Sequence, residues 1–487
     1  MGKISFVDPV LFFYMFALYF ESMWTPEFVE EAAYRHYNVR PPNETNSSCV
    51  SNANASQQNS SSSTQKAEAL ASDWLLYISL SSNIPAVVLA LLVGGFSDRY
   101  GRRMLIVVPS IGAATEALLF IVVMATNLPL EYLLIGNTIQ GFTGGGTTLF
   151  MAVFSYAADV TPTNNRTWRL GVLESMTFIG GCLGQLLGGV CVEHASPYIV
   201  VGIAAGCHFF NIFYVGVCLE EAAAASEVVS GEDEHERLHK VQNDSIDEVD
   251  VSPRVCSPRK IFSFVEVFVA TDNRRPRWLL VTVYAVFGLY TLVVFGIGDV
   301  QYLYLTNLPL CWTPSLIGYF SAFRYVTGWF AALILVPVFS KFLHFRDTTV
   351  VLVAMLTMAP SLVVEAFATK SWVMFLVPVI GICGGATQPV LRSMMSKLAG
   401  KDRQGALFSA VASLETAVTL FGSSIFNPLY GALVQKDVSL FPENGAALCF
   451  FIMACILLLP VAIIVPVHVY SVSNGFGIRR EVEGECY

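Results

Sequence analysis

Eight ionisable side chains lie inside long apolar runs of this chain: Glu21, Glu116, Glu174, Asp299, Arg324, Glu365, Arg392 and Glu415. A charge surrounded by hydrocarbon is costly, so such residues face a cavity or a partner and point to function. Their types allow two kinds of chemistry. A carboxyl group that burial makes reluctant to ionise loads a proton in mild acid and releases it at neutral pH. A guanidinium is a permanent cation that holds an anion through paired hydrogen bonds. Glu116, Arg324 and Glu415 are singled out by burial alone. Glu21 and Glu365 read as solvated groups near a membrane surface. Arg392 has a second reading as an orientation charge that snorkels to a membrane face, and Glu174 as the partner of a helix-terminal arginine such as Arg169. Tyr319 and Phe295, with Phe142, Phe150, Phe178, Phe323 and Tyr325, offer flat surface for stacking on a ring-shaped ligand.

A second constellation is the turn Gly94 to Arg103, which reads G-x-x-x-D-R-x-G-R-R. Asp98, Arg99, Gly101, Arg102 and Arg103 sit directly between two apolar runs. Their charges suit pairing across an interface or with helix ends.

The elements that position these residues follow from composition. The chain has 487 residues, 54% hydrophobic and only 13% charged, with mean hydropathy +0.58. A soluble domain carries about 25% charged residues, so this chain uses lipid as solvent. A helical span needs roughly 20 apolar residues. Such runs occur near 6–26, 74–95, 104–126, 130–157, 168–191 and 198–219, and again near 279–305, 314–338, 347–368, 371–392, 405–426 and 446–469. The fold class is therefore an all-α integral membrane protein, with two sets of six spans. The N-terminal set occupies 1–219, a linker 220–278, the C-terminal set 279–469 and a tail 470–487.

One set of short loops holds Arg99, Arg102, Arg103, Arg166, Arg169, Lys341, Arg346, Lys397, Lys401 and Arg403. Basic residues stay on the cytoplasmic side, which places both termini and the linker there and the 27–73 loop outside. That loop carries the glycosylation sequons of Asn43, Asn46, Asn54 and Asn59. Asn165 also fits the pattern but falls on the cytoplasmic side. The linker, with Glu232-Asp233-Glu234 and Ser-Pro pairs at Ser252 and Ser257, reads as a phosphorylatable regulatory loop or, the favoured reading, as a tether between two bundles. The 11 cysteines lack metal or redox spacing, and no nucleotide loop or nucleophile motif appears, so an enzyme, a metal centre and a nucleic-acid binder are not expected.

Several stretches are family-specific. Gly94 to Arg103 resembles the loop between the second and third helices of major facilitator transporters. Ser72 to Tyr77, Pro309-Leu310-Cys311-Trp312, Ile317-Gly318-Tyr319, Val390 to Ser393, Met395 to Leu398 and Gln404 to Ser409 resemble the proton-coupled folate transporter family. That family also includes the thymic stromal cotransporter and a lysosomal solute carrier. The resemblance implies the 12-helix major facilitator fold, two six-helix bundles that rock about a central cavity. It implies that Glu174 is the fifth-helix glutamate of proton coupling, that Arg392 is a tenth-helix arginine affecting substrate or proton affinity, and that Asp299 is the matching seventh-helix aspartate. It implies that Asp98 and Arg102 take part in cycling, and that Cys49 and Cys311 form a disulfide. The folate carrier's fourth-helix aspartate is replaced here at Gly144 and its seventh-helix histidine at Val294. The glycine run at Gly144 is expected to let helices approach closely. Glu415 instead matches the lysosomal member.

The function expected is alternating-access symport of protons with a small organic anion, folate-like compounds leading. The proton is the coupling ion and no cofactor is needed. Glu174, Asp299 and Glu116 are the proton-coupling candidates; Arg392, Arg324, Glu415, Tyr319 and Phe295 are the substrate-binding candidates. A lysosomal exporter of peptide, glycan or steroid-type conjugates and a non-transporting receptor on the same scaffold are the alternatives. Neither tail holds a clear dileucine signal, which favours the plasma membrane. Oligomeric state is not legible.

Overall fold

The computed structural model describes residues 6–37, 58–100, 102–160, 166–219, 277–307, 309–399, 404–434 and 445–473. Among the described residues all regular structure is helical. Lipid offers no hydrogen-bond partner, so a spanning backbone must satisfy itself, and helices do so within one segment.

Twelve helical segments follow in order. The first half contains α1 (Asp8–His36), α2 (Gln58–Tyr100) and α3 (Arg102–Thr126). It continues with α4, made of Leu133–Phe142 and Gly145–Val160, then α5 (Arg166–His194) and α6 (Pro197–Cys218). The second half begins with α7 (Arg277–Thr306) and α8 (Pro314–Phe330), which continues as π-helical turns at Ala331–Leu335 and Val338–Phe342. Then come α9 (Asp347–Ala366) and α10, which runs from Ser371–Ile380 through a turn at Ile382–Ala386 into Thr387–Ala399. Last are α11 (Gln404–Val434) and α12 (Leu448–Ser473). Among the described residues, eight helices are each long and apolar enough to cross a bilayer, and the bent α10, turning by 44°, makes nine. The others carry acidic residues or a break.

One expectation changes and another is extended. The loop expected over 27–73 is invaded from both sides, because α1 runs to His36 and α2 starts at Gln58. At about 1.5 Å per residue, the 29 residues of α1 outrun a bilayer core of roughly 30 Å. The polar end of the helix therefore projects beyond the lipid, where a hydropathy window no longer sees it. The glycine run allows the close approach expected, since a Cβ on Gly144 would lie 2.9 Å from Leu89 Cδ2 of α2, and it also breaks the helix. Gly144 and Gly145 have φ of +89° and +52°, left-handed values that glycine adopts without strain. They break α4 in two, and a Cβ on Gly145 would meet nothing within 4 Å.

Packing repeats with an offset of six. In the first half α1 packs on α5 and α6, and α3 on α6; in the second, α7 packs on α11 and α12, and α9 on α12. The halves meet through α2 on α11 and α5 on α8, which are the same pairing with the halves exchanged. Such a repeat is the expected result of two bundles related by a twofold axis. The end where α1 finishes and α2 begins is termed outer, after the orientation expected from the basic residues.

Near that end the halves touch backbone to backbone. A Cβ on Gly189 of α5 would lie 2.4 Å from the Pro314 carbonyl and 2.8 Å from Gly318 Cα of α8. Small residues at a helix crossing give this close approach. Gly189→Val is expected to cost roughly 1–3 kcal/mol by overpacking and to lower the thermal unfolding midpoint in detergent. Gly202→Val, at a site where a Cβ meets nothing within 4 Å, is expected to leave that midpoint in place; equal midpoints for the two variants would contradict the crossing.

Candidate functional site

Arg392 lies on the last segment of α10, Glu174 on α5 and Glu415 on α11. The structure brings the three together. Arg392 Nη1 donates to Glu174 Oε1 at 3.2 Å, and Nη2 donates to Glu415 Oε1. None of the three side chains is more than 27% exposed. The guanidinium also lies over two rings, 5.6 Å from the centroid of Phe150 on α4 and 5.7 Å from that of Phe287 on α7. Cation–π contact of this kind replaces part of the water the charge has lost. Each half thus supplies one carboxylate and one ring. Chemically, one guanidinium against two carboxylates leaves a net negative charge, so the site accepts a proton more readily than a second anion.

This arrangement settles two open points about geometry. Arg392 does not reach for a membrane face; both ends of its guanidinium are taken inside the protein. Glu174 is not the partner of Arg169, which holds Asp8 of α1 in a two-point ion pair with one contact at 2.7 Å.

Asp299 of α7 accepts from Ser423 Oγ of α11 at 2.9 Å. Ser79 of α2 donates to Ser423 at 2.6 Å and receives Asn83 Nδ2 at 3.0 Å. A polar chain therefore runs from Asp299 across to the other half. Arg324 of α8 donates to Gln301 of α7, whose amide donates to Glu365 of α9 at 2.5 Å. Glu365 is 2% exposed, which corrects its reading as a solvated surface group: Gln301 and Arg324 supply the partners that make burial tolerable. Glu116 of α3 is buried within the first half, apart from Arg392's ring of partners, and its Oε2 has no hydrogen-bond partner. Tyr319 is 48% exposed on α8 and Phe295 half-buried on α7; the rings against Arg392 are Phe150 and Phe287 instead.

In the charged turn, Arg103 donates from Nε to the Val215 carbonyl at 3.0 Å and from Nη2 to that of Gly216. It ties the start of α3 to the C-terminal carbonyls of α6, where a cation offsets the helix dipole. The side chains of Asp98 and Arg99, and Gly101, lie outside the described residues, as do Cys49, Asn43, Asn46, Asn54 and Asn59. Cys311 is disulfide-bonded. A cavity of 670 Å³ opens at the outer end of the first half, lined by Phe28, Arg35, Trp74, Asn127 and Tyr198 among others, away from the Arg392 cluster.

Sequence reasoning missed Phe287, Gln301 and Ser423. Phe287 is one of 35 phenylalanines and carries no signal of its own. Gln301 and Ser423 were legible in principle, as polar residues inside apolar runs.

Comparison with known proteins agrees with this architecture. Residues 62–423 match the Major Facilitator Superfamily. The proton-coupled folate transporter of Rattus norvegicus is 28% identical over 444 residues, covering 88% of this chain and 86% of the relative. The lysosomal proton-coupled steroid conjugate and bile acid symporter SLC46A3 of Gallus gallus is 27% identical over 489 residues, covering 97% and 99%. The crystal structure of the human organic anion transporter MFSD10 (TETRAN) has a TM-score of 0.62 at 16% identity, covering 95% of this chain and 100% of that one, a likeness of fold. These relatives are transporters and not enzymes, and they fall in the family that the sequence motifs resemble. A family match across most of the chain, on described residues that form two repeating helical halves, means that this multi-pass membrane protein belongs to the Major Facilitator Superfamily.

Proposed function

We propose that the chain is a proton-coupled symporter of organic anions, with the cluster of Arg392, Glu174 and Glu415 as its coupling site. The observation that carries the reading is the sharing of one guanidinium between carboxylates of opposite halves. With both carboxylates ionised, the cluster is net negative and repels an incoming anion. A proton on Glu174 makes the cluster neutral and frees one edge of the guanidinium for the substrate's carboxylate, sulfate or equivalent group. Proton and anion then bind with positive cooperativity, each raising the affinity for the other. Loss of the Glu174 contact also loosens the tie between halves, so the loaded carrier reorients.

Folate-like compounds and steroid conjugates share the required chemistry, a flat apolar body with an anionic end. Both relatives, a folate transporter and a steroid conjugate and bile acid symporter, fit that description. The absence of a charge at Gly144 and of a histidine at Val294, where the folate carrier has them, leaves the work of proton sensing to carboxylates. We place both termini in the cytoplasm on the distribution of the basic residues, and the protein at the plasma membrane because neither tail holds a clear dileucine signal.

Uptake of a labelled panel of pterins and steroid sulfates should be measured at mildly acid and at neutral external pH. Wild type is expected to take up at least one anion faster in acid, since protonation of the cluster precedes anion binding. Glu174→Gln mimics the protonated state at every pH, so the acid-to-neutral ratio is expected to fall towards one in a normally expressed variant. Retention of the full wild-type ratio would contradict the assignment of Glu174.

A further inference from the structure

At the outer end, α1 presents carboxylates to neutral donors of the opposite half. Tyr302 of α7 donates to Glu27 at 2.5 Å. Glu30 accepts from Thr306 Oγ1 at 3.1 Å and from Asn307 Nδ2 at 3.2 Å. Tyr34 donates to Asn307 Oδ1 at 3.1 Å. These bonds bridge the halves, as do Ser72 Oγ to the Asn427 carbonyl at 2.6 Å and Ser315 N to Glu193 at 3.0 Å. Together with the Gly189–Gly318 crossing they close this end of the protein.

The independent observation is Glu68 of α2. It is 8% exposed, and among the described residues no hydrogen bond or ion pair reaches its carboxyl group. It lies within electrostatic range of Glu30, Tyr34 and Tyr430. Among the described residues, the other ionisable groups that act on the cluster are Glu27 and Glu31 of α1, Glu193 of α5, Tyr302 of α7 and Cys449 of α12. None of these is a cation, and among the described residues Glu27, Glu30 and Glu68 make no ion pair.

Among the described residues Glu68 is buried with neither cation nor donor, and Glu30 has only neutral donors, so neither is well kept as an anion so close to the other. We propose that Glu30 and Glu68 form a second proton-binding site, at the outer gate, and that its protonation is what lets the gate close. With the gate open, water solvates both carboxylates and they ionise. Closing the gate strips that water and brings the two groups together between helices. The proton therefore binds more tightly in the closed state, and by linkage acid on the outer side drives closure. This step rests on the proton-coupled reading but does a different job. The Arg392 cluster couples the proton to anion binding; the outer pair couples a proton to the change of access.

The test uses full-length protein in lipid nanodiscs, with fluorophores on non-canonical residues at Tyr198 and Trp372. These are exposed positions at the outer ends of α6 and α10, one in each half. In wild type the closed population is expected to rise as pH falls, by up to about tenfold per pH unit for each proton taken up. Glu30→Gln with Glu68→Gln is expected to stay closed at both acid and neutral pH. Glu68→Asp, which keeps the acid, is expected to retain the response. A wild-type distance that ignores pH, or a double glutamine variant that still follows it, would overturn the proposal. A gate that responds in wild type and fails in the double variant, in a protein whose uptake of every tested anion ignores pH, would support the gate and overturn the symport reading instead.

Discussion

One guanidinium, held between a carboxylate from each half of the chain, sets the terms for the rest of this protein. Arg392 is a permanent charge in a low-dielectric interior, so it must be neutralised wherever it sits. Glu174 comes from the first half and Glu415 from the second, so neutralisation also joins the halves. Anything that alters one of the three charges alters both the site's affinity for anions and the strength of that join. Binding and conformation are thereby coupled through a single contact, without a long pathway between separate sites.

Elsewhere the halves meet through weaker and more numerous contacts. Serine, asparagine and tyrosine hydroxyls and amides bridge α1 to α7 and α2 to α11, and glycines let α5 approach α8 at backbone distance. Contacts of this sort suit an interface that is broken and remade. Apolar helix faces gain little from each other when lipid is the alternative, so the specificity of closure falls to shape and to polar pairs. The carboxylates at the outer end are then not incidental decoration. They are groups whose hydration changes with access, and so whose proton occupancy must change too.

Much of the fold was legible from the chain itself, because continuous apolar runs of span length have few other uses. What escaped is instructive. The ends of α1 and α2 are polar helices that project beyond the hydrocarbon, so hydropathy read them as loop. Gly144 is the packing glycine it looked like, but its positive φ also marks a backbone break in α4 that hydropathy does not show. Glu365 looked like a surface charge, because nothing local reveals that Gln301, 64 positions away, would meet it. The members of the Arg392 cluster were each picked out, Glu415 by burial and the other two also by resemblance. Their meeting was not, since Glu174 and Arg392 are 218 positions apart and only tertiary packing joins them. The pair Glu30 and Glu68 was missed outright, lying where the sequence suggested an exposed loop.

The central claim is that Arg392 is the shared counter-charge of Glu174 and Glu415, and a stability cycle tests it most directly. Thermal unfolding should be compared for wild type, Arg392→Ala, the pair Glu174→Gln with Glu415→Gln, and all three changes together. Removing the cation alone strands two carboxylates, which should cost roughly 2–4 kcal/mol, below the full cost of a buried pair because the groups are partly exposed. Neutralising the carboxylates in the same protein should recover most of that loss. If Arg392→Ala is as stable as wild type, or if its cost simply adds to that of the two glutamines, the guanidinium does not hold the halves together and the account fails.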